Sequence, residues 1–215
     1  MMRNFESAAL AAQEVMTMPS ADEMLIAAVA GIDAANARDP NLIEVDGQRE
    51  PAELVYGRRM SETLSRMAPA ASAHLKLAVR GQHIERWTSP RKSYLEGRAG
   101  YLQWRQDLKA FHARRVGEIM QAAGYGADDI ARVGALVRKE RLKRDGEAQT
   151  LEDVACIVFL AFYAEAFMQK TDDDKLAGIL AKTWRKMSSQ GHEHAQRLAL
   201  PPRLLALLER GLAAT

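Results

Sequence analysis

Apolar side chains recur at three- and four-residue spacing along almost the whole chain, and nowhere do they alternate long enough to mark a strand. Ser20, followed three residues on by Glu23, is the pattern of a capping box. It predicts a helix start, carried by Met24, Ile26, Val29 and Ile32 to about Ala37. Residues 38–51 hold Asp39, Pro40, Asp46, Gly47 and Pro51 and are expected to be a loop, because Pro and Gly punctuate both ends. Helical spacing restarts at Pro51 and runs to about Met67, and it resumes over residues 71–87 with Leu75, Leu77, Val79 and Ile84. A basic, Gly-containing loop over 88–98 precedes a helix over 99–123 that Gly124 closes. Further helices are predicted over 128–143, 151–170, 171–187 and 202–212. The one over 151–170 is apolar nearly all round and is expected to be the most buried. Phe5, Ala9, Ala12 and Met16 suit a short helix over 5–16. The expectation is an all-α, single-domain bundle of about eight helices over residues 20–215, with residues 1–19 as an N-terminal extension or short helix.

Composition adds bounds to this pattern. Of 215 residues, 47% are hydrophobic and 27% charged, enough apolar surface for one sizeable core. Thirty basic residues against 28 acidic ones leave a net charge of +2, so the overall balance calls for neither a nucleic acid nor a membrane. The longest apolar run, residues 154–164, is about half the ~20 residues that a bilayer requires, and no secretory leader pattern opens the chain. A cytoplasmic protein with no membrane partner is expected. The one cysteine, Cys156, lies inside that run, where a thiol packs as a small hydrophobe.

Candidate chemistry rests on a few side chains. His112 is four residues from both Leu108 and Val116, which places it on the inward stripe of its helix. Glu140 follows Val133 and Val137 at helical spacing and so continues an apolar face, where a carboxylate needs a partner. Lys139 or Arg141 could be that partner. Thr150 and Asp153 fit a second capping box, an alternative to any functional role for Asp153. His83, His112, Glu140 and Asp153 together are two imidazoles and two carboxylates on successive helices, a ligand set suited to a divalent metal in a bundle. Around them, Arg80, Arg86, Arg91, Arg98 and Arg105 are interleaved with Trp87, Tyr94, Tyr101 and Trp104, a mixture suited to phosphate and nucleobase groups or to a solvated, anchored loop. Lys186-Met187-Ser188-Ser189 looks like the nucleotide-binding loop of class I aminoacyl-tRNA synthetases, but an all-helical chain has no parallel-sheet domain to carry it.

Several strings, among them Leu54-Val-Tyr-Gly-Arg-Arg-Met-Ser61, Gly81-Gln-His-Ile-Glu-Arg-Trp87, Arg98-Ala-Gly-Tyr-Leu-Gln-Trp-Arg105 and Arg138-Lys-Glu-Arg-Leu142, resemble domain-of-unknown-function family 4202 over roughly residues 22–195. More remotely, the order of elements is similar to the HD superfamily of metal-dependent phosphohydrolases. That resemblance implies an HD-domain-like bundle in which His83, His112, Glu140 and Asp153 hold a divalent metal, with His83 and Glu140 at the reaction centre. Gln82-His83 stands where a His-Asp dipeptide would fall, so such a site is either remodelled or lost. The function expected on this basis is hydrolysis of a nucleotide or other phosphorylated small molecule, with Arg80, Arg86, Arg91, Arg98 and Lys139 neutralising the phosphate. The alternative is a non-catalytic module that binds a nucleotide, RNA or phosphate through the same basic and aromatic segment.

Overall fold

Ser20 caps the first helix as the sequence predicts. Its hydroxyl accepts the Glu23 N–H at 3.3 Å, and the Glu23 carboxylate accepts the Ser20 N–H at 2.8 Å. In the computed structural model, which describes residues 19–214, this opens α1 (Ala21–Asn36). The short helix expected over 5–16 lies outside the described residues. The predicted loop contains a hairpin, β1 (Leu42–Val45) and β2 (Gln48–Pro51), in antiparallel register with Val45 opposite Gln48. Asp46 and Gly47 both have positive φ, 51° and 79°, the mirror-image turn whose twist matches that of two strands. Helix α2 (Ala52–Met67) follows at once. Pro51 offers no side-chain cap, and the Asp39 carboxylate takes that role by accepting the Glu53 N–H at 3.0 Å.

Helix α3 (Ala73–Arg80) is only eight residues long, too short to persist alone, and it exists through packing. Leu77, Ala78 and Val79 are fully buried, and the helix touches α1, α2, α5 (Ala127–Arg138) and α6 (Gly146–Phe162). The helix expected over 71–87 therefore ends at Arg80. Two 3-10 turns, Arg86–Thr88 and Arg91–Ser93, lead into α4 (Gly97–Ala122). The stretch expected as one helix over 151–170 starts earlier and divides: α6 begins behind Asp145, whose carboxylate accepts the N–H groups of Glu147 and Ala148, and α7 (Ala164–Met168) follows a break at Tyr163. Thr150 is thus inside α6, where its hydroxyl donates to the Gly146 carbonyl, and the capping box expected there does not form. Helices α8 (Asp173–Trp184), α9 (Ser189–Ala195) and α10 (Pro202–Ala213) complete the set. Among the described residues the fold is all-α apart from the hairpin, and one buried cluster runs from Ala28 on α1 to Leu208 on α10. No described helix is long and apolar enough to cross a membrane.

Helices α8 and α10 pack closely, and Gly211 makes their contact possible. A Cβ at that position would lie 2.2 Å from the Ala177 carbonyl oxygen, and backbone cannot yield as a side chain can. Gly211→Ala should therefore cost about 1–3 kcal/mol, the usual range for overpacking, and lower Tm by several degrees. Thermal unfolding followed by circular dichroism checks this, and an unchanged Tm would show that the two helices separate freely.

Candidate functional site

The chain reverses immediately after α3, and this reversal builds one wall of a cleft. Gly81 begins it because a Cβ there would meet Val116 Cγ2 on α4 at 2.3 Å. Glu85 ends it in the left-handed region, φ 50°, a conformation unfavourable to a side chain with a Cβ and held by its surroundings. Its N–H donates to Asn36 Oδ1 at 2.9 Å, and its carboxylate accepts from Arg38 at 2.8 Å and Arg115 at 2.6 Å. Between these anchors the turn carries Gln82, His83 and the Ile84 carbonyl. That carbonyl accepts the Nδ1–H of buried His112 at 2.8 Å, which fixes the tautomer and leaves Nε2 as a lone-pair acceptor. The rings of His83 and His112 are 6.0 Å apart, and Tyr56 stacks on His83 at 4.2 Å with 13° between planes. Burial drives the His83 pKa well below its ordinary value, with Arg86 reinforcing the effect. Burial, aided by neighbouring His83, lowers that of His112 to about 3. Both rings are neutral at physiological pH.

Helix α2 contributes Glu53 and Tyr56, three residues apart and so on one face. Glu53 Oε2 lies 3.6 Å from His83 Nδ1. Burial raises the Glu53 carboxyl to about 7 against the pull of Arg86, and the nearby carboxylate of Asp39 adds to the rise. The residue that caps α2 thus also tunes its first turn.

The opposite side of the cleft is cationic. Helix α5 stops at Arg138 because Lys139 adopts φ 57°, the left-handed cap more often given to glycine, with the Glu140 N–H returning to the Ala135 carbonyl at 3.0 Å. The reversal sends the Lys139 side chain inward, where its ammonium pairs with Glu152 on α6. Burial favours the neutral form of Glu152, but Lys139 outweighs it, and Lys186 at 3.6 Å and Arg105 assist, so the carboxyl lies below its usual range. Lys109 stands beside the same group, its pKa lowered by burial and then by Arg105 and Lys139. The guanidinium of Arg86 lies 5.4 Å from the centre of the Trp104 ring, and that indole donates to the Ser89 carbonyl at 2.9 Å. Tyr101, Trp104 and Leu108 line the α4 side, and Phe159 and Cys156 the α6 side, of a cleft of about 600 Å³. Burial pushes the Cys156 thiol up to about 12, which makes it an inert part of the wall.

The family model described as a domain of unknown function, DUF4202, matches residues 26–208. The chain belongs to that family. No curated protein and no solved structure matches it.

Within this DUF4202 domain the residues singled out from the sequence have separate fates. His83, His112, Arg86 and Lys139 line the cleft. Glu140 does not. Its inward placement assumed that α5 continued past residue 138, and with the helix ended at Arg138 the carboxylate is exposed and paired with Arg138 at 2.6 Å. Asp153 is buried but satisfied, since it accepts from Ser188 N–H at 2.8 Å, Ser188 hydroxyl at 2.5 Å and Gln149 at 2.9 Å, which fastens α9 to α6. It does not face the cleft; its neighbour Glu152 does. Arg80 is held bidentately by Asp33 at 2.5 and 2.7 Å, Arg91 donates to the carbonyls of Tyr94, Leu95 and Gly97, and Arg98 is exposed outside the cleft. The four proposed ligands thus split into a pair of imidazoles and two carboxylates engaged elsewhere. Among the described residues no three His, Cys, Asp or Glu side chains group as a metal's ligands would, so the donor set does not fit a shared ion. Glu53, Lys109 and Glu152 also line the cleft without being marked by the sequence, and Tyr56, Gln82 and Lys186, which lie in strings noted there, line it without having been assigned a role. The Glu53/Tyr56 spacing was visible, but nothing in it distinguished a cleft face from a solvated one.

Glu53 gives a stability test of this description. Unfolded, it titrates near 4.5; folded, at about 7. Between those values the fold keeps a proton that the unfolded chain has released, so this contribution is present at low pH and lost as pH rises through 7. Glu53→Gln cannot ionise. Its stability relative to wild type should rise between about pH 4 and 8 by up to about 3 kcal/mol, while the histidine contributions cancel there because both folded rings are already neutral above about pH 4. Urea midpoints across that range measure it; a constant difference would place Glu53 in a solvated setting.

Proposed function

We propose that the cleft binds a phosphorylated small molecule of the nucleotide class. The observation that carries this is the crowding of Lys109, Lys139, Lys186 and Arg105 about a single carboxylate, Glu152, beside aromatic side chains. Closely grouped cations are relieved by an anion, and ammonium groups suit phosphate oxygens as point charges. Tyr101 and Trp104 offer flat surfaces on which a base can stack. Titration of the full chain with adenosine diphosphate and with inorganic pyrophosphate tests the reading. Binding should weaken steeply with salt, and Lys186→Ala and Lys109→Ala should each reduce affinity about tenfold, or ~1.4 kcal/mol. A wild-type chain that binds neither compound overturns it.

Glu53 favours a second reading, in which the bound phosphoester is also hydrolysed. A carboxyl that titrates at about 7, with neutral His83 at 3.6 Å, can hand a proton to a leaving-group oxygen at physiological pH, and Arg86 close by would neutralise phosphoryl charge. No step is routed through a metal, since the side chains present do not form its ligand set. Phosphate release from a nucleotide panel, with and without added Mg²⁺ or Mn²⁺, should fall as pH rises past about 7 and drop at least a hundredfold in Glu53→Gln. If Glu53→Gln turns over like wild type, or no nucleotide is turned over, the hydrolytic reading is lost and a binding module stands.

A further inference from the structure

Two buried acceptors on residues lining this cleft, His112 Nε2 and Gln82 Oε1, have no partner among the described residues. Their residues are 3% and 8% exposed. His112 presents a lone pair at Nε2, because its Nδ1–H is committed to the Ile84 carbonyl and a neutral imidazole then has an acceptor on its other side. An unpaired acceptor at such depth is costly, and native structures pair nearly all of them. Several of the cleft's donors are engaged, Lys139 and Lys186 with Glu152 and Arg105 with the Tyr101 hydroxyl, while the buried Tyr163 hydroxyl, like the two acceptors, has no partner within hydrogen-bond distance among the described residues. The cleft thus combines buried acceptors that call for hydrogen-bond donors with grouped cations that call for negative charge.

We propose that the cleft is specific for an amino-bearing nucleoside phosphate, with the exocyclic amino group of the base donating to His112 Nε2 and Gln82 Oε1 and the phosphates lying among Lys109, Lys139 and Lys186. An –NH₂ group places two N–H donors on one atom, matching two acceptors, whereas a hydroxyl supplies one. A carbonyl at the same position would set lone pair against lone pair, and a site built to accept hydrogen bonds rejects a ligand that cannot donate them far more strongly than an apolar pocket would. The aromatic walls formed by Tyr56, Tyr101 and Trp104 suit a flat ring as the carrier of that amino group. This inference rests on the phosphate-binding reading above and is independent of the hydrolytic one.

The test is equilibrium binding of the full chain to matched pairs that differ in this group, cytidine against uridine diphosphate and adenosine against inosine diphosphate, with inorganic pyrophosphate as the baseless probe. The amino-bearing member should bind at least about tenfold tighter in one pair or both, and Gln82→Leu and His112→Phe should bring that ratio to about two or less. Since His112 is buried and His112→Phe can misfold, the ¹⁵N resonance of His112 Nε2 in the wild-type chain is a second measure: it should move on adding the preferred nucleotide and stay in place with pyrophosphate. Pyrophosphate and nucleotides binding with ratios under about two in both pairs would overturn the amino-group assignment alone. A chain that binds no phosphorylated compound would overturn this inference together with the function it refines.

Discussion

The candidate site depends on one constraint, that the chain turn sharply at the end of α3 while the helix itself stays buried. Leu77, Ala78 and Val79 fix α3 among four other helices, so the residues just beyond it can move only as a reversal. Gly81 lets that reversal lie against Val116, and Asn36, Arg38 and Arg115 close it at Glu85. The Ile84 carbonyl is thereby turned to α4, where it sets the tautomer of His112, and His83 is placed between Tyr56 and His112. Three helices far apart in sequence meet at this turn.

The two walls of the cleft have opposite electrostatic character for the same physical reason. Burial penalises charge, so a group without a close counter-ion changes its proton affinity and a group with one keeps its charge. Burial outweighs the 3.6 Å approach of Glu53 to His83 and the pull of Arg86, so His83, His112 and Glu53 are driven toward neutrality. Lys139 and Glu152 have each other, with side chains 11% and 8% exposed, and Glu152 remains ionised. Buried pairs of this kind add little net stability, since desolvation offsets attraction, but removing one partner is expensive. Their retention at a cleft wall is more economically explained by what the cleft holds than by what the fold needs.

Much of the helical framework was legible in the sequence because periodicity and caps report local physics directly: Ser20 and Glu23 gave the start of α1, Pro51 the start of α2, and Gly124 the end of α4. Asp46-Gly47 is a hairpin turn signal, but four-residue strands carry too little alternation to separate the hairpin from a loop. The site was harder to read, and the failures are specific. Glu140 was placed inward by extending the Val133–Val137 stripe across a helix end that only a left-handed Lys139 reveals. Asp153 and Glu152 are adjacent, and about 100° of helical rotation decides which faces α9 and which the cleft. Whether Arg80 is free for a ligand depends on Asp33, which is 47 residues away along the chain. Such pairings are long-range and leave no mark at the level of spacing.

Backbone strain falls where these features meet. Glu85 and Lys139 both adopt positive φ without being glycine, at 50° and 57°, and each terminates a segment that lines the cleft. Glycine at either position would relieve the backbone, yet it would remove the carboxylate that clamps Arg38 and Arg115 or the ammonium that faces Glu152. The turn at Asp46 is different, since Asp tolerates the left-handed region in a two-residue hairpin and its side chain serves no site. Strain at Glu85 and Lys139 is therefore borne for what the side chains do: Glu85 closes the turn that carries Gln82 and His83, and Lys139 faces Glu152 in the cleft itself. Arg141, with φ 54° at an exposed position outside the cleft, shares this backbone conformation, but only at Glu85 and Lys139 does it adjoin the place where charge, unpaired acceptors and aromatic surface gather.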